Sequence, residues 1–261
     1  MDGGGVALGL RGPVQWITID RPERRNAFDA DVIRGIARGV VQAQETPGVR
    51  AIVLTGAGES TFCAGGDLRA EGGGSPFELD PARPQNPVID LFKELERCTL
   101  PTLARVNGHA LAGGLGLVCA CDLAVAAETA TLGVPETAVG LFPMMILPYL
   151  LRTLPRRQLM EWCITGARWS AREALAVGIL NYVVPPAELD AKVEWLLARV
   201  LDKSPTAIRM GKQGIQAMRD MTLPQAFEYA QHALPAIARS EDAREGFAAF
   251  REGRPPRWTG R

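Results

Sequence analysis

The sequence carries no surplus of charge of either sign: Lys and Arg number 29, Asp and Glu number 29, and the formal net charge is zero. Without a basic excess, neither nucleic acid nor an anionic membrane is an expected partner, and any anion site has to be local. Histidine is scarce, with His109 and His232 alone. The five cysteines, Cys63, Cys98, Cys119, Cys121 and Cys163, are odd in number and scattered. Cys119 and Cys121 have no second Cys or His cluster at zinc spacing, so they are expected to be buried small side chains, and no metal site is expected. A signal-peptide pattern is also missing, which with this cysteine usage makes the cytoplasm the expected compartment. One apolar run, Ala110 to Ala127, approaches the length of a bilayer span. Asp122 and three glycines interrupt it. A central Asp costs about 2.5–3.5 kcal/mol in a membrane helix, so a buried helix followed by a buried strand is expected instead. The segment Ala51-Ile52-Val53-Leu54-Thr55-Gly56-Ala57-Gly58 looks like a strand entering a dinucleotide-binding turn, but Thr61 stands where the third glycine belongs. Nucleotide-dependent reduction is excluded on that ground.

What is present suits a soluble globular protein: 261 residues can bury a substantial core, as one large domain or one domain with a small appendage. Strands are expected at Val14–Ile19, Ala51–Thr55, Thr102–Val106 and Leu123–Ala126. A helix is expected from Asp29 to Gln44, where Val32, Ile33, Ile36, Ala37, Val40 and Val41 make one apolar face and Asp29 or Asp31 offers a cap. Alternating strands and helices indicate an α/β class. After Val184 the pattern becomes wholly helical, over Leu189–Leu201, Thr206–Arg219, Pro224–Ala238 and Ser240–Glu252. The stretch from Gly72 to Pro87 is rich in Gly and Pro and lacks a hydrophobic period, so a loop is expected there.

Two glycine-rich stretches carry the chemistry. Phe62-Cys63-Ala64-Gly65-Gly66-Asp67-Leu68 and Gly108-His109-Ala110-Leu111-Ala112-Gly113-Gly114 would each place a bare backbone N–H beside a ligand. Two such donors aimed at one oxygen form an oxyanion hole, which stabilises charge that develops during reaction. Pro135-Glu136 follows at a spacing suited to a general acid/base, and Gly140-Leu141-Phe142-Pro143 comes after it. With these motifs the chain resembles the crotonase family, the enoyl-CoA hydratase/isomerase superfamily, over nearly its whole length.

The resemblance implies a crotonase-like α/β spiral of repeated β-β-α turns over residues 1–200. A helical region at 201–261 would pack subunits into homotrimers or dimers of trimers. It implies that Gly66 and Gly113 supply the two oxyanion-hole amides, the second reinforced by the start of a helix. It implies a coenzyme A thioester as substrate, bound by backbone groups around Ala64, Gly66, Asp67, Leu68 and Gly113, with Arg24 and Arg69 meeting its phosphates; no permanently bound cofactor is expected. Arg24 could equally be a solvated turn residue. Glu136 is the expected proton shuttle, since the apolar Leu132-Gly133-Val134-Pro135 before it could raise its pKa toward neutrality; the bland account is a helix-start Glu favoured by the dipole.

One departure matters. Family hydratases that use two glutamates carry one of them three residues beyond the second oxyanion glycine, where this chain has Gly116. Leu115, Leu117, Val118 and Cys119 supply no replacement, and Asp122 lies at the far end of the helix. The pattern resembles single-glutamate Δ3-Δ2-enoyl-CoA isomerases. Isomerisation is therefore favoured narrowly over hydration with a second acid from elsewhere, and over a catalytically weak acyl-CoA-binding subunit. His109 is expected to pack or to bond the Asp67 loop, and His232 to lie at a surface or interface. Phe142, Met144, Met145, Ile146 and Leu147 are candidates for an acyl pocket or for plain core.

Overall fold

The computed structural model describes residues 4–68 and 86–261. They form two compact units, one of residues up to Cys98 with Thr102–Glu194, the other of Thr99–Pro101 with Trp195–Arg261. The first unit contains strands β1 (Val6–Arg11), β2 (Val14–Ile19), β3 (Ala51–Gly56), β4 (Thr61–Cys63), β5 (Thr102–Val106), β6 (His109–Leu111), β7 (Leu123–Ala127), β8 (Thr131–Gly133), β9 (Arg168–Ser170) and β10 (Tyr182–Val184). Its helices are α1 (Ala30–Glu45), α2 (Pro87–Arg97), α3 (Gly113–Ala120), α4 (Leu147–Thr153), α5 (Arg156–Thr165) and α6 (Ala171–Ala176). Helix α7 (Leu189–Leu201) runs across the division, and α8 (Pro205–Met218), α9 (Leu223–Ala238) and α10 (Glu241–Glu252) belong to the second unit.

One sheet has the order β1-β2-β3-β5-β7-β10 and the other β4-β6-β8-β9. The chain enters them alternately: β3 then β4, β5 then β6, β7 then β8, with α2 and α3 between successive pairs. This is a spiral of β-β-α turns, as the resemblance implied. All the pairs from β2 through β10 in the larger sheet are parallel, and only β1 runs antiparallel to its neighbour. Parallel strands with both faces covered are built from continuous apolar runs, and every residue of β3 is buried. Helix α1 buries Val32, Ile33, Ile36 and Val40, each worth about 1.5–3 kcal/mol relative to exposure. Asp29 caps it, accepting from the N–H groups of Asp31 and Val32.

The apolar run from Ala110 resolves into the end of β6, the eight-residue helix α3 and strand β7. Among the described residues no helix is long and apolar enough to cross a membrane. Asp122, which interrupts the run, accepts from both the N–H and the hydroxyl of Thr102 and so ties β7 to β5. The loop expected between Gly72 and Pro87 lies outside the described residues up to residue 85. At its end the expectation is corrected: Pro87 opens α2, with the Asn86 side chain accepting from the Val88 N–H. Proline is well suited to a first helical position because its missing N–H would have had no helical partner.

The second unit is helical among its described residues and is closed by its own tail. Buried Asp242 accepts from the Ser204 hydroxyl and from the N–H groups of Thr206, Thr259 and Gly260. Burial alone would raise its pKa, yet these bonds hold the carboxyl down at about 2.

Candidate active site

The first glycine stretch is aimed by the loop before α1. Arg25 and Asn26 take consecutive left-handed conformations, with φ of 54° and 51°. Asn26 is fully buried; its side-chain N–H groups donate to the carbonyls of Ala57 and Thr61, and its Oδ1 accepts from the Arg21 N–H. The loop is thereby fixed to the β3–β4 connection, and the Ala64 N–H donates to the Arg25 carbonyl at 3.1 Å. Asn26→Ala would take this partner from the Arg21 N–H and the Ala57 carbonyl, at a cost of about 1–3 kcal/mol for each group left unsatisfied, while the Thr61 carbonyl keeps the Asn107 side-chain N–H at 3.3 Å. A clear loss of urea-unfolding stability is the expected outcome.

Beyond Ala64, Gly66 forms an isolated parallel bridge with Phe28. Its two hydrogen bonds run from the Phe28 N–H to the Gly65 carbonyl at 2.9 Å and from the Asp67 N–H to the Phe28 carbonyl at 3.0 Å. The residue at the centre of such a bridge gives neither bond, so the Gly66 N–H is turned away from Phe28. Gly66 lines a cavity of about 370 Å³.

The second stretch reaches the same cavity. Ala112 precedes α3 with φ 51° and ψ −126°, a conformation few side chains adopt. Its own N–H is spent on the Gly133 carbonyl at 2.8 Å. The next N–H, that of Gly113, stands at the first helical position, where no intrahelical acceptor exists, and Gly113 also lines the cavity. The two stretches touch: Gly65 has φ 90°, and a Cβ there would stand 3.1 Å from the Gly113 nitrogen and 2.7 Å from the Ala112 Cβ. A side chain on Gly113 would collide with the Phe28 ring.

Glu136 lies in the short 3-10 turn Pro135–Val139 and lines the cavity with the two glycines. Its Oε2 is buried without a hydrogen-bond partner. Burial raises its pKa above the ordinary 4.5, opposed by its own backbone N–H. The chain then turns at Gly140, with φ 77°, and lays Leu141, Phe142, Met144, Met145 and Ile146 along the wall. Leu147, also expected there, is not part of the lining and begins α4. Behind Glu136, Cys163 is buried, and its thiol is pushed up to about 11 by burial first and by the Glu136 charge second. Its neighbour Trp162 stacks on Trp169 at 3.9 Å and donates to the Ala167 carbonyl.

Gly116 is buried in α3. A Cβ there would collide with Ile146 and approach the Phe92 ring at 2.8 Å. The place of a second carboxylate is filled by apolar side chains. Gly116→Glu would force overpacking, typically about 1–3 kcal/mol, and bury a charge besides. Loss of folded protein is the expected result, detectable as a lowered Tm, rather than a gain of hydration.

Gly66, Gly113 and Glu136 are thus brought together around one cavity. Asp67 is buried beside Gly66, with its carboxylate 3.3 Å from Arg21. Leu68 is exposed, as is Arg24 in the turn Pro22–Arg24, and neither lines the cavity. Arg69 lies outside the described residues. His109 accepts or donates at Nδ1 to the Thr131 hydroxyl at 2.9 Å, tying β6 to β8 rather than bonding the Asp67 loop; His232 is exposed on α9. Three contributors had no strong sequence signal: Phe28, Val88 and Ala112. Only the place of Ala112, just before a Gly-Gly pair at a helix start, could have marked it.

Comparisons with known proteins identify the family of the chain. The family described as Enoyl-CoA hydratase/isomerase matches residues 10–261. A carnitinyl-CoA dehydratase of Salmonella typhi is 34% identical over 262 residues, covering 97% of this chain and 98% of that protein. The solved enoyl-CoA hydratase of Mycobacterium tuberculosis H37Rv superposes with a TM-score of 0.88 at 34% identity, over 98% of this chain and 99% of that one. The enoyl-CoA hydratase of Bacillus anthracis gives a TM-score of 0.88 at 28% identity, over 99% of this chain and 100% of that one.

Proposed function

The chain belongs to the enoyl-CoA hydratase/isomerase family and is an enzyme of that family, and from that premise we propose that it moves the double bond of an enoyl-CoA thioester through an enolate. The N–H groups of Gly66 and Gly113 hold the thioester oxygen, and Glu136 carries the proton. In the 3-enoyl to 2-enoyl direction, ionised Glu136 removes a proton from C2. The electron pair moves onto the thioester oxygen as a dienolate, and the same carboxyl returns the proton at C4, leaving the double bond between C2 and C3. The observation that supports this is the buried, unpartnered Oε2 of Glu136 in the same apolar cavity as the two amides. A carboxylate with an ordinary structural role would be paired or solvated.

Coenzyme A enters as part of the substrate, held by backbone groups around Ala64, Gly66 and Leu68 with Arg24 toward its phosphates. Isomerisation is preferred because Ile146 and Phe92 close the position at Gly116 to a second acid. Hydration is the second reading, favoured by the names of the relatives, hydratases and a dehydratase. A weak acyl-CoA-binding subunit fits poorly with a retained Glu136. Incubation with 3-hexenoyl-CoA and crotonyl-CoA separates these: double-bond migration to 2-hexenoyl-CoA supports isomerisation, hydroxyacyl product without migration overturns it, and binding without turnover supports the third.

Subunit packing through the helical region is proposed as well. Phe227, Leu234, Phe247 and Phe250 are 65%, 64%, 65% and 88% exposed, an apolar display suited to another copy. A trimeric or hexameric native mass is expected, and truncation near Lys203 should aggregate or dissociate the protein. A soluble truncated protein with an unchanged number of subunits would refute that role.

A further inference from the structure

We propose that Arg21 is a positioning residue for the reaction, clamping the two chain segments whose single bridge aims the Gly66 N–H. The inference rests on the assignment of Gly66 and Gly113 as the oxyanion site. Arg21 Nη1 lies 2.8 Å from the Asp29 carboxylate and donates to the Ala27 carbonyl at 3.0 Å, while Nη2 lies 3.3 Å from the Asp67 carboxylate. Ala27 and Asp29 flank Phe28, and Asp67 follows Gly66. One side chain therefore grips both partners of the Phe28–Gly66 bridge.

That bridge is isolated, with two backbone hydrogen bonds and no strand on either side to extend it. It also contains Gly65 at φ 90° next to Gly66, and two consecutive glycines have more backbone freedom than any other pair. Rotation of the peptide between them would swing the Gly66 N–H off the thioester oxygen. Arg21 opposes that rotation from outside the cavity, whose lining does not include it. Its own placement is fixed in turn, since its N–H donates to Asn26 Oδ1 and its carbonyl accepts from the Asn26 N–H. A planar fork can serve three acceptors at set angles, which an ammonium on a flexible stem does not reproduce.

The test uses the full-length protein, with Arg21→Gln, Arg21→Lys and Asp67→Asn. Vibrational difference spectra of bound 2,4-hexadienoyl-CoA, labelled at the thioester carbonyl, report how strongly the oxygen is held. Wild type should lower the carbonyl stretching frequency. Arg21→Gln should abolish most of that shift and reduce kcat by about 10- to 100-fold, the scale of a small misplacement at a reacting centre, with KM nearly unchanged. Arg21→Lys should restore part of both. If Arg21→Gln does not fold, Asp67→Asn tests the same clamp from the Gly66 side and should move both readouts in the same direction. A folded Arg21→Gln or Asp67→Asn variant with the wild-type carbonyl shift overturns the proposal, whatever its kcat. A wild-type complex with no carbonyl shift overturns the oxyanion assignment itself and this role with it.

Discussion

Glu136→Gln is expected to lower turnover by about 100-fold or more while leaving binding of a CoA thioester intact, because it keeps the size of the side chain and removes the base. The pH behaviour provides an independent check. Burial raises the folded-state pKa of Glu136 above its ordinary 4.5, so wild-type kcat should rise with pH through a value above 4.5 as the carboxylate form appears. Stability should move the opposite way. A raised folded-state pKa contributes stability that is fully present below the unfolded value and is lost as pH rises through the folded one. Gln is neutral throughout and escapes that loss, so the variant should melt higher than wild type at about pH 8 and show little advantage near about pH 4. An inactive variant that is more stable at neutral pH is the signature of a carboxylate kept in place for chemistry. Wild-type turnover in Glu136→Gln would rule out this residue as the proton shuttle.

Gly66→Pro should depress kcat by roughly two to three orders of magnitude, the effect of deleting one oxyanion donor. Gly66 is a better probe than its partner. Both hydrogen bonds of the Phe28 bridge are made by neighbouring residues, at Gly65 and Asp67, so proline at 66 removes the aimed N–H and neither of those bonds. At Gly113 a proline would suit the first position of α3, yet its ring would run into Phe28, and lost activity there would be ambiguous. Circular dichroism and Tm establish that the Gly66 variant is folded. Near-normal turnover in a well-folded Gly66→Pro protein would remove Gly66 from the mechanism.

The elements legible in the sequence are those whose burial leaves a period. Strands β2 and β5 fall at the expected residues because parallel strands covered on both faces are written as apolar runs. Helix α1 follows from its 3.6-residue face and the Asp29 cap, and α7 to α10 from similar faces. Strands β4, β6, β8 and β9 have three residues each, too few to show any alternation. Three of these four carry or adjoin the site, inside motifs that are noticed for their glycines instead. Helix α2 was hidden because Pro87 looks like punctuation until the Asn86 cap is seen.

The site divides in the same way. Gly66, Gly113 and Glu136 are visible because bare amides and a lone carboxylate are chemical statements in their own right. Phe28, Ala112 and Arg21 are ordinary residue types whose importance comes from contacts 38, 47 and 46 positions away along the chain, at Gly66, Gly65 and Asp67. The strain at Ala112 has no trace in composition at all, since alanine is among the least conspicuous residues to precede a helix.

The close packing of Gly116 against Ile146 and Phe92 also limits how this catalyst can change over generations. A single substitution that introduces a carboxyl at 116 meets two side chains already in that volume, from α2 and from the segment before α4. Shrinking Ile146 or Phe92 first would open a void in an intact enzyme and gain nothing. On the proposed single-glutamate reading, a route to two-acid chemistry crosses variants with a strained or hollowed core, so that the reaction is guarded by epistasis in the core as well as by the residues that touch the substrate.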